Sequence, residues 1–361
     1  MAGTAAETVF WTSLVVVAYV YAGYPLVLLA WSRLASRPVR KGRHEPDVSV
    51  VIAARNERET IGGKVHDCLH LDYPPERLEV VISLDGSSDG TDRVVGSLVG
   101  EGPGCRVRVV ASEHHEGKAA ALNRGVEAAG GDVLVFCDAR QRLEPGAVRE
   151  LVASLADPAV GAVTGELLLE DGLGRQAADG VGLYWRYEKA LRAMESRIHS
   201  TVGATGALYA VRRDLFTPLP AGAILDDVIV PMRAVLAGRR TVFEPRARAH
   251  DRVYPPEVEF RRKVRTLAGN FQLVALVPDV LKPWRNPVFV QFVSHKLGRL
   301  VVPYLLVALL ASNLLLRDGI YLLFLVGQGS WYALAGAGAL VSRSARRGAV
   351  GASLANGGHR P

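Results

Sequence analysis

The sequence predicts an α/β domain built on a parallel sheet with helices on both faces, flanked by helices that cross a membrane. Short β-branched runs alternate with helical patterns over residues 44–280, and this alternation is typical of a parallel sheet covered on both sides. Three longer apolar runs lie outside that region, at residues 9–31, 300–316 and 320–341. The 361-residue chain is 49% hydrophobic and 22% charged, which indicates soluble and membrane parts in one chain.

The charges that flank the apolar runs predict how the chain lies in the membrane. The first run would be about 34 Å long as a helix, enough to cross a bilayer. Arginine and lysine residues follow it over residues 33–43, and arginines follow the last run over residues 343–347. The positive-inside rule places both flanks in the cytoplasm. The net charge of +7 is therefore explained largely by the basic residues that flank the membrane segments. We expect no nucleic acid as a partner.

The cysteines indicate the compartment and exclude two kinds of site. The chain has three cysteines and no CxxC pair, so neither a disulfide framework nor a zinc site is expected, and a reducing compartment fits. The predicted domains are an N-terminal transmembrane helix with a basic linker (1–43), a cytosolic α/β domain (44–280), an interfacial helix (281–299), two transmembrane helices (300–342) and a disordered tail (343–361).

Polar side chains stand where the predicted strands end. Arg55, Asp85 and Asp138 each follow a strand closely. Because ligands of such sheets bind beyond the carboxyl ends of the strands, this coincidence predicts a binding site there. The strands are expected at residues 48–52, 78–83, 107–110, 132–137, 161–169, 203–211 and 241–243, with helices at 118–129, 183–198 and 226–237.

Each of these polar residues also has a simpler interpretation. Asp85 can bind a nucleoside or can form a turn that caps the next helix. Asp138 can bind a cation that carries a diphosphate or can be a turn residue. Lys118 opens a helix and can lie near phosphate, although a lone lysine is more often a solvated surface residue.

The second half of the chain adds a pair of acids and a basic run. Asp226 precedes a helix and suits capping or acceptor positioning, while Asp227 is the candidate general base. Arg261, Arg262 and Arg265 lie near one helical face, where they can bind a diphosphate or contact anionic lipid headgroups.

Five segments in order give a resemblance to a known family. They are VSVVIAARNE, VVISLDGSSDGT, EGKAAALNRGVEAAGGDVLVFCDA, TGALYAVRR and ILDD. Together they resemble the inverting family 2 glycosyltransferases, whose domain has the GT-A fold, a Rossmann-like fold that binds nucleotide sugars. The apolar runs and the segment SHKLGR resemble the membrane-bound members, which include polysaccharide synthases.

The resemblance implies a role for each matched position. Ala54, Arg55 and Glu57 would line the nucleotide pocket, and Asp85 would hold the nucleoside. Asp138 matches the first acid of the D-x-D motif, which binds a divalent metal, Mg²⁺ or Mn²⁺. Asp227 matches the catalytic base. Independently of the resemblance, the residue pattern predicts that Asp226, Arg262 and Arg265 face the acceptor or the diphosphate.

Three departures from the family pattern change what is expected. Arg140 replaces the second acid of D-x-D, so that it can contact phosphate itself, and metal binding then depends on Asp138. Leu84 replaces the first acid of D-D-G-S. The Q-x-x-R-W segment of processive synthases corresponds to residues 262–266, which keep the arginine but have neither Gln nor Trp. Limited transfer is therefore expected rather than long-chain polymerisation.

The sequence thus predicts a multi-pass membrane enzyme with a cytosolic catalytic domain. It would move a sugar from a UDP- or GDP-sugar to a hydroxyl on a lipid-linked or polysaccharide acceptor. A processive polysaccharide synthase and a catalytically inactive nucleotide-sugar-binding scaffold remain alternatives. A nicotinamide-binding enzyme is excluded, because no GxGxxG follows the first strand.

Overall fold

The computed structural model describes residues 2–99, 104–170, 180–316 and 318–356. The chain divides into two compact units, one formed by Met1–Gly23 with Gly298–Pro361 and the other by Tyr24–Leu297. The helices are α1 (Ala2–Ala18), α2 (Tyr24–Leu34), α3 (Ile61–Leu69), α4 (Thr91–Leu98), α5 (Lys118–Ala128), α6 (Ala147–Leu155), α7 (Gly180–Ile198), α8 (Asp226–Leu236), α9 (Pro256–Leu276), α10 (Phe289–Gln291), α11 (Gly298–Asn313) and α12 (Ile320–Asn356). Two π-helical turns, Tyr19–Gly23 and Phe292–Leu297, precede α2 and α11.

One mixed sheet forms the centre of the second unit. Its strands lie in the order β3-β2-β1-β4-β7-β6-β8-β5 across the described residues. They are β1 (Val48–Ala54), β2 (Leu78–Asp85), β3 (Arg106–Ser112), β4 (Val133–Phe136), β5 (Arg142–Leu143), β6 (Val160–Glu170), β7 (Tyr209–Arg212) and β8 (Arg240–Arg252).

The first four strands confirm the predicted parallel arrangement. β1 pairs in parallel with β2 and β4, and β2 pairs in parallel with β3. All eight residues of β2 are buried, as expected for a strand covered by helices on both faces. All four strands therefore end at the same edge of the sheet.

The prediction of a parallel sheet is wrong for β7 and β5, whereas β6 and β8 pair in parallel. β7 enters between β4 and β6 and runs antiparallel to both. Composition identifies β7 as a strand but does not encode its direction. The insertion brings the turn before β7, which contains Gly206, to the edge where β4 ends.

The other unit and the chain next to it hold helices suited to a membrane. Among the described residues, three helices are long and apolar enough to cross one: Gly3–Leu34, Phe289–Asn313 and Ile320–Gly338. The second begins eleven residues before the predicted start, because the expected interfacial segment continues into it. α12 runs on to Asn356, a helix where the sequence predicts a disordered tail, and residues 357–361 lie outside the described residues. Within the unit, Phe10 of α1 packs edge-on against Tyr321 and Phe324 of α12.

Candidate active site

Lys118 joins two of the predicted acids. It is the first residue of α5, and its ammonium group lies 2.8 Å from Oδ1 of Asp138 and 3.0 Å from Oδ1 of Asp226. Burial alone would lower the pKa of Lys118, but the nearby carboxylates of Asp138, Asp226 and Asp227 raise it well above its usual range. Lys118 is therefore not a solvated lysine, because its ion pairs connect the start of α5 with the end of β4 and the start of α8. We call Lys118 and the three acids Asp138, Asp226 and Asp227 the hub.

Asp227 and Asp138 face a common space at Gly206. A Cβ atom built on Gly206 would lie 3.4 Å from Oδ2 of Asp227 and 3.7 Å from Oδ2 of Asp138. The missing side chain of this glycine thus leaves open the space between the two carboxylates. Acids that are 89 residues apart in the chain thus both lie close to Gly206.

The surroundings of Asp227 favour a proton acceptor near neutral pH. Burial raises the pKa of Asp227, and the charges of Asp226 and Asp138 raise it further. The charges of Lys118 and Lys296 oppose this rise, and the resulting pKa is about 6. A carboxyl group with this pKa is largely ionised at pH 7 and is more basic than an ordinary aspartate, as general base catalysis requires.

Asp226 differs from Asp227 because both of its oxygens are already engaged. Oδ1 pairs with Lys118, and Oδ2 accepts a hydrogen bond from the hydroxyl of Tyr209 at 3.1 Å. Burial raises the pKa of Tyr209, as do the charges of Asp226 and Asp227, so that the phenol stays a donor. The N-cap of α8 is Leu225, so Asp226 is not the capping residue. Of the acid pair, Asp227 is the one that faces the Gly206 space.

Asp85 organises the loop that precedes Lys118. Its carboxylate accepts hydrogen bonds from the backbone N–H groups of Glu116 (2.8 Å) and Gly117 (3.0 Å), and Nδ1 of His115 lies at 2.7 Å. Burial alone would raise the pKa of Asp85, but these donors lower it. The side chain of Asp85 is buried, whereas the ring of His115 is half exposed.

The turn after β1 brings together three of the predicted nucleotide residues and Arg140. Ala54 is buried at the end of β1, and Arg55 is exposed. Nε of Arg140 donates to Oε1 of Glu57 at 2.7 Å. Burial alone would lower the pKa of Arg140, but the bond to Glu57 raises it. Thr60 donates to the second oxygen of Glu57 at 2.7 Å, which fixes that carboxylate.

Two of the arginines of α9, Arg262 and Arg265, differ in their surroundings. The guanidinium of Arg262 lies over the ring of Tyr254, 4.1 Å from its centre, and 4.0 Å from Asp251. Tyr254 in turn donates to Asp251 at 3.1 Å. Arg265 lies one turn further along and is exposed. Within the described part of the chain, the structure does not bring Arg265 into contact with the other candidate residues.

The side chains that could act as metal ligands decide how a metal can be held. No group of three or more His, Cys, Asp or Glu side chains suited to a metal occurs among the described residues. Arg140, at the position of the second D-x-D acid, is paired with Glu57. Mg²⁺ and similar cations are often held by one or two carboxylates together with substrate phosphates. Asp138 therefore fits a metal that arrives with a diphosphate, not one held by the protein alone.

Three residues of this site were not assigned from the sequence. Tyr209 and Gly206 lie in the segment TGALYAVRR, and Lys296 lies in SHKLGR, so the segments were identified without the roles of these residues. A glycine that keeps the space between two acids open is recognisable only when both acids are placed. A tyrosine and a lysine in apolar surroundings are equally compatible with simple packing.

Comparison with known proteins identifies the kind of domain. Residues 49–217, just under half of the chain, match the family model "Glycosyl transferase family 2". A β-monoglucosyldiacylglycerol synthase of Synechocystis is 33% identical over 118 residues, 33% of this chain and 25% of that protein. A poly-β-1,6-N-acetyl-D-glucosamine synthase of Staphylococcus aureus is 28% identical over 224 residues, 56% of this chain and 51% of that protein. The chain thus spans between a quarter and half of the length of these relatives.

A solved structure shares the fold over most of the chain. It is a mannosyltransferase of Pyrobaculum calidifontis, solved in complex with GDP-mannose and Mn²⁺. The two chains are 23% identical and superpose with a TM-score of 0.72 over 90% of this chain and 92% of the other. The predicted GT-A fold with apolar helices at both ends is confirmed.

Proposed function

We propose that this chain, a glycosyltransferase that carries a family 2 domain, moves one sugar from a nucleotide diphosphate sugar to a hydroxyl at the cytosolic face of a membrane. The observation that carries the proposal is the space beside Gly206, which Asp138 and Asp227 face together. One acid stands on the side of the donor diphosphate and the other on the side of the acceptor. Lys118 pairs with Asp138 and with Asp226, the residue that precedes Asp227, and so links the two acids.

The donor would lie along the edge where β1, β2 and β4 end. Asp85 and the residues Ala54, Arg55 and Glu57 would surround the nucleoside, and Lys118 and Arg140 would face the phosphates. Asp138, Asp226 and Asp227 lie near two ammonium groups, those of Lys118 and Lys296, so an incoming diphosphate enters a site whose carboxylates outnumber its ammonium groups. Positive charge must therefore arrive with the donor.

A divalent cation bound by Asp138 and the phosphate oxygens would meet that need. When bound, the metal neutralises the charge that develops on the leaving diphosphate. The mannosyltransferase of the same fold was solved with Mn²⁺, which makes Mn²⁺ the first cation to test.

Asp227 would be the base of a single displacement. The acceptor hydroxyl gives its proton to Asp227 while its oxygen forms a bond to C1 of the sugar. The bond between C1 and the diphosphate oxygen breaks, and the nucleoside diphosphate leaves with the electron pair. Because the acceptor attacks from the face opposite the leaving group, the anomeric configuration would invert.

The outer face of α9 supports a membrane-borne acceptor. Phe260, Val264, Leu267 and Phe271 are between 45% and 68% exposed, and their spacing places them on one face of the helix. Arg261 and Lys263 flank this apolar stripe on the two sides. An exposed apolar stripe with basic borders is typical of a helix that lies on an anionic bilayer surface.

A spin-label experiment tests the placement of α9. Labels at Phe260→Cys and Leu267→Cys, in protein reconstituted into bilayers, should collide more with oxygen than with a water-soluble nickel complex. The native cysteines are buried, which limits background labelling. A label at Glu76→Cys, an exposed position, serves as the aqueous control. If the labels on α9 are as accessible to nickel as the control, α9 does not contact the membrane.

A donor screen tests the proposed activity. Purified protein in detergent is heated with UDP- and GDP-sugars, with and without Mn²⁺, and then assayed for release of the nucleotide. We expect one class of donor to raise Tm and turn over only when Mn²⁺ is present, since a ligand that binds the folded state stabilises it. If a donor raises Tm equally well without Mn²⁺, Arg140 takes the role that is proposed for the metal. Failure of every donor to bind or react would contradict the proposal.

A processive polysaccharide synthase is the second candidate function. It is favoured by the similarity to the poly-β-1,6-N-acetyl-D-glucosamine synthase. It is disfavoured by the absence of the Gln and Trp of Q-x-x-R-W in residues 262–266. Mass spectrometry of the product separates the two functions, because limited transfer yields one added sugar and a synthase yields a ladder.

A further inference from the structure

The C-terminal half of α9 binds the segment of chain that leads into the acid pair. The side-chain amide of Gln272 makes two hydrogen bonds to the backbone of this segment. Its Oε1 accepts from the N–H of Ile224 at 3.0 Å, and its Nε2 donates to the carbonyl oxygen of Gly222 at 3.0 Å. One bond uses the acceptor of the amide and the other its donor, so the two together fix its orientation. Gln272 therefore holds a segment that ends two residues before Asp226.

Gly269 brings α9 close enough for these two bonds. It lies three residues before Gln272, and a Cβ atom built on it would lie only 2.5 Å from Cγ of Leu225 and 3.0 Å from Cγ2 of Ile224. Any side chain at this position would force the helix or the segment to move. Leu273 and Leu225 are buried in the same hydrophobic cluster, so apolar packing supports the hydrogen bonds of Gln272.

The held segment continues directly into the acid pair. Leu225 is the N-cap of α8, and its carbonyl oxygen accepts a hydrogen bond from the N–H of Ile229 at 3.0 Å within the first turn of the helix. On the other side, the carbonyl oxygen of Asp227 accepts from the N–H of Ala204 at 2.7 Å, in the chain before β7. The backbone of Asp227 is thus held between α9, through residues 222–225, and the chain that precedes β7.

A similar pair of bonds holds the same connection further from the acids. Asn123 of α5 donates through Nδ2 to the carbonyl oxygen of Leu219 at 2.9 Å and accepts from the N–H of Leu219 at 2.8 Å. Leu219 lies seven residues before Asp226, whereas Ile224 lies only two before it. The contact of Gln272 is therefore the one of these two that bears directly on the acid pair.

We propose that Gln272 is a positioning residue of the active site, which holds residues 222–225 so that the carboxylate of Asp227 stays beside the Gly206 space. This inference rests on the proposed role of Asp227 as the base. A general base must lie within hydrogen-bond reach of the acceptor hydroxyl, and a misplacement of about 1 Å can cost about 100-fold in rate. Because α9 also carries the exposed apolar stripe, Gln272 links the base to the helix that is proposed to lie on the bilayer.

Substitution of Gln272 tests this role. Gln272→Met keeps the length of the side chain but removes both hydrogen bonds, and it should lower kcat about tenfold or more. The donor KM should change less than about threefold, because Gln272 acts through the base and not on the donor. Gln272→Glu keeps an acceptor for the N–H of Ile224, so its kcat should lie between those of Gln272→Met and the unmodified protein. Asn123→Leu, which removes the similar pair of bonds to Leu219, is the matched control and should lower Tm but leave kcat near normal.

A double-mutant cycle separates positioning from a general loss of structure. In protein that carries Asp227→Asn no base is left to position, so that adding Gln272→Met should change the residual kcat less than about twofold. A further tenfold loss in that background would indicate a purely structural residue and overturn the inference. Normal kcat in Gln272→Met alone would also overturn it and would leave the transferase activity intact.

A second variant keeps the inference testable if Gln272→Met does not fold. Gly269→Ala pushes α9 and Leu225 apart and should lower kcat with little change in donor KM. Normal kcat in Gly269→Ala would then contradict the proposal. Absence of any transfer by the unmodified protein, or normal kcat in Asp227→Asn, would instead count against the proposed function.

Discussion

Asp227→Asn is expected to lower kcat for sugar transfer by about 10²- to 10⁴-fold, the usual contribution of general acid–base catalysis. Asparagine has the shape of aspartate but cannot take the acceptor's proton. Donor binding should persist, because Asp138 and Lys118 remain. The measurement is the initial rate of transfer, with the donor affinity determined separately by calorimetry. Asp214→Asn, the same change at an exposed position, should leave both quantities unchanged.

The same substitution is expected to stabilise the fold at neutral pH. The pKa of Asp227 rises from an ordinary value of 3.8 to about 6 in the folded chain. A group with a raised folded pKa contributes stability below its unfolded pKa, and this contribution is lost as the pH rises through the folded value. At pH 7 the ionised Asp227 thus opposes folding, so that Asp227→Asn should raise Tm at pH 7 and have little effect at pH 4. A variant with lower Tm and unchanged kcat would contradict the assignment of the base.

Lys118→Met is expected to weaken donor binding strongly and to destabilise the domain. The ammonium group pairs with Asp138 and Asp226, and its removal leaves three neighbouring carboxylates without that cation. Removing one partner of a buried charge pair generally costs about 3–5 kcal/mol, and the cost here is smaller because a third of the Lys118 side chain is exposed. The loss of Tm should be greater at pH 8 than at pH 5, since Asp227 is ionised at the higher pH.

Calorimetric titration with the donor and Mn²⁺ measures the binding part of this prediction. The affinity of Lys118→Met should fall by at least about 100-fold, because a phosphate-binding cation and the alignment of Asp138 are lost together. Lys282→Met, which removes a lysine paired at the surface with Asp279, controls for the loss of a lysine. Binding at the unmodified affinity in Lys118→Met would show that the hub does not take part in holding the donor.

Most strands of the sheet could be predicted from the sequence, because short stretches of neighbouring residues identify them. Continuous apolar runs such as that of β2 identify buried strands, and the acids after β2 and β4 mark the edge where the strands end. The direction of β7 and the two-residue strand β5 were not predicted, since pairing partners distant in the chain decide them. The start of the second apolar helix was placed too late for a related reason. His295 and Lys296 look interfacial in the sequence, but His295 is buried against acids of α7.

The candidate site was predictable as a set of residues but not as a set of contacts. The motifs supplied Asp138, Asp226 and Asp227, but only the folded chain shows that Lys118 joins two of them. Asp85 was expected to face a nucleoside, and nothing in the sequence indicated that its carboxylate also holds the backbone of the loop before Lys118. Spacing along a chain determines which residues are near a strand end. It does not determine which hydrogen bonds a carboxylate makes when several donors converge on it.

Gly206→Ala tests most directly whether the space between Asp138 and Asp227 receives the donor sugar. The added methyl group meets these carboxylates at ordinary contact distances of 3.4 and 3.7 Å, so the fold should tolerate it and Tm should stay near its unmodified value. The methyl group itself occupies this space, so kcat/KM should fall by at least about tenfold. A tenfold fall corresponds to a loss of about 1.4 kcal/mol of transition-state stabilisation. Gly63→Ala, in a helix where the new methyl has open space, is the control. Full activity of Gly206→Ala at unchanged Tm would show that the reacting sugar does not lie between these two acids.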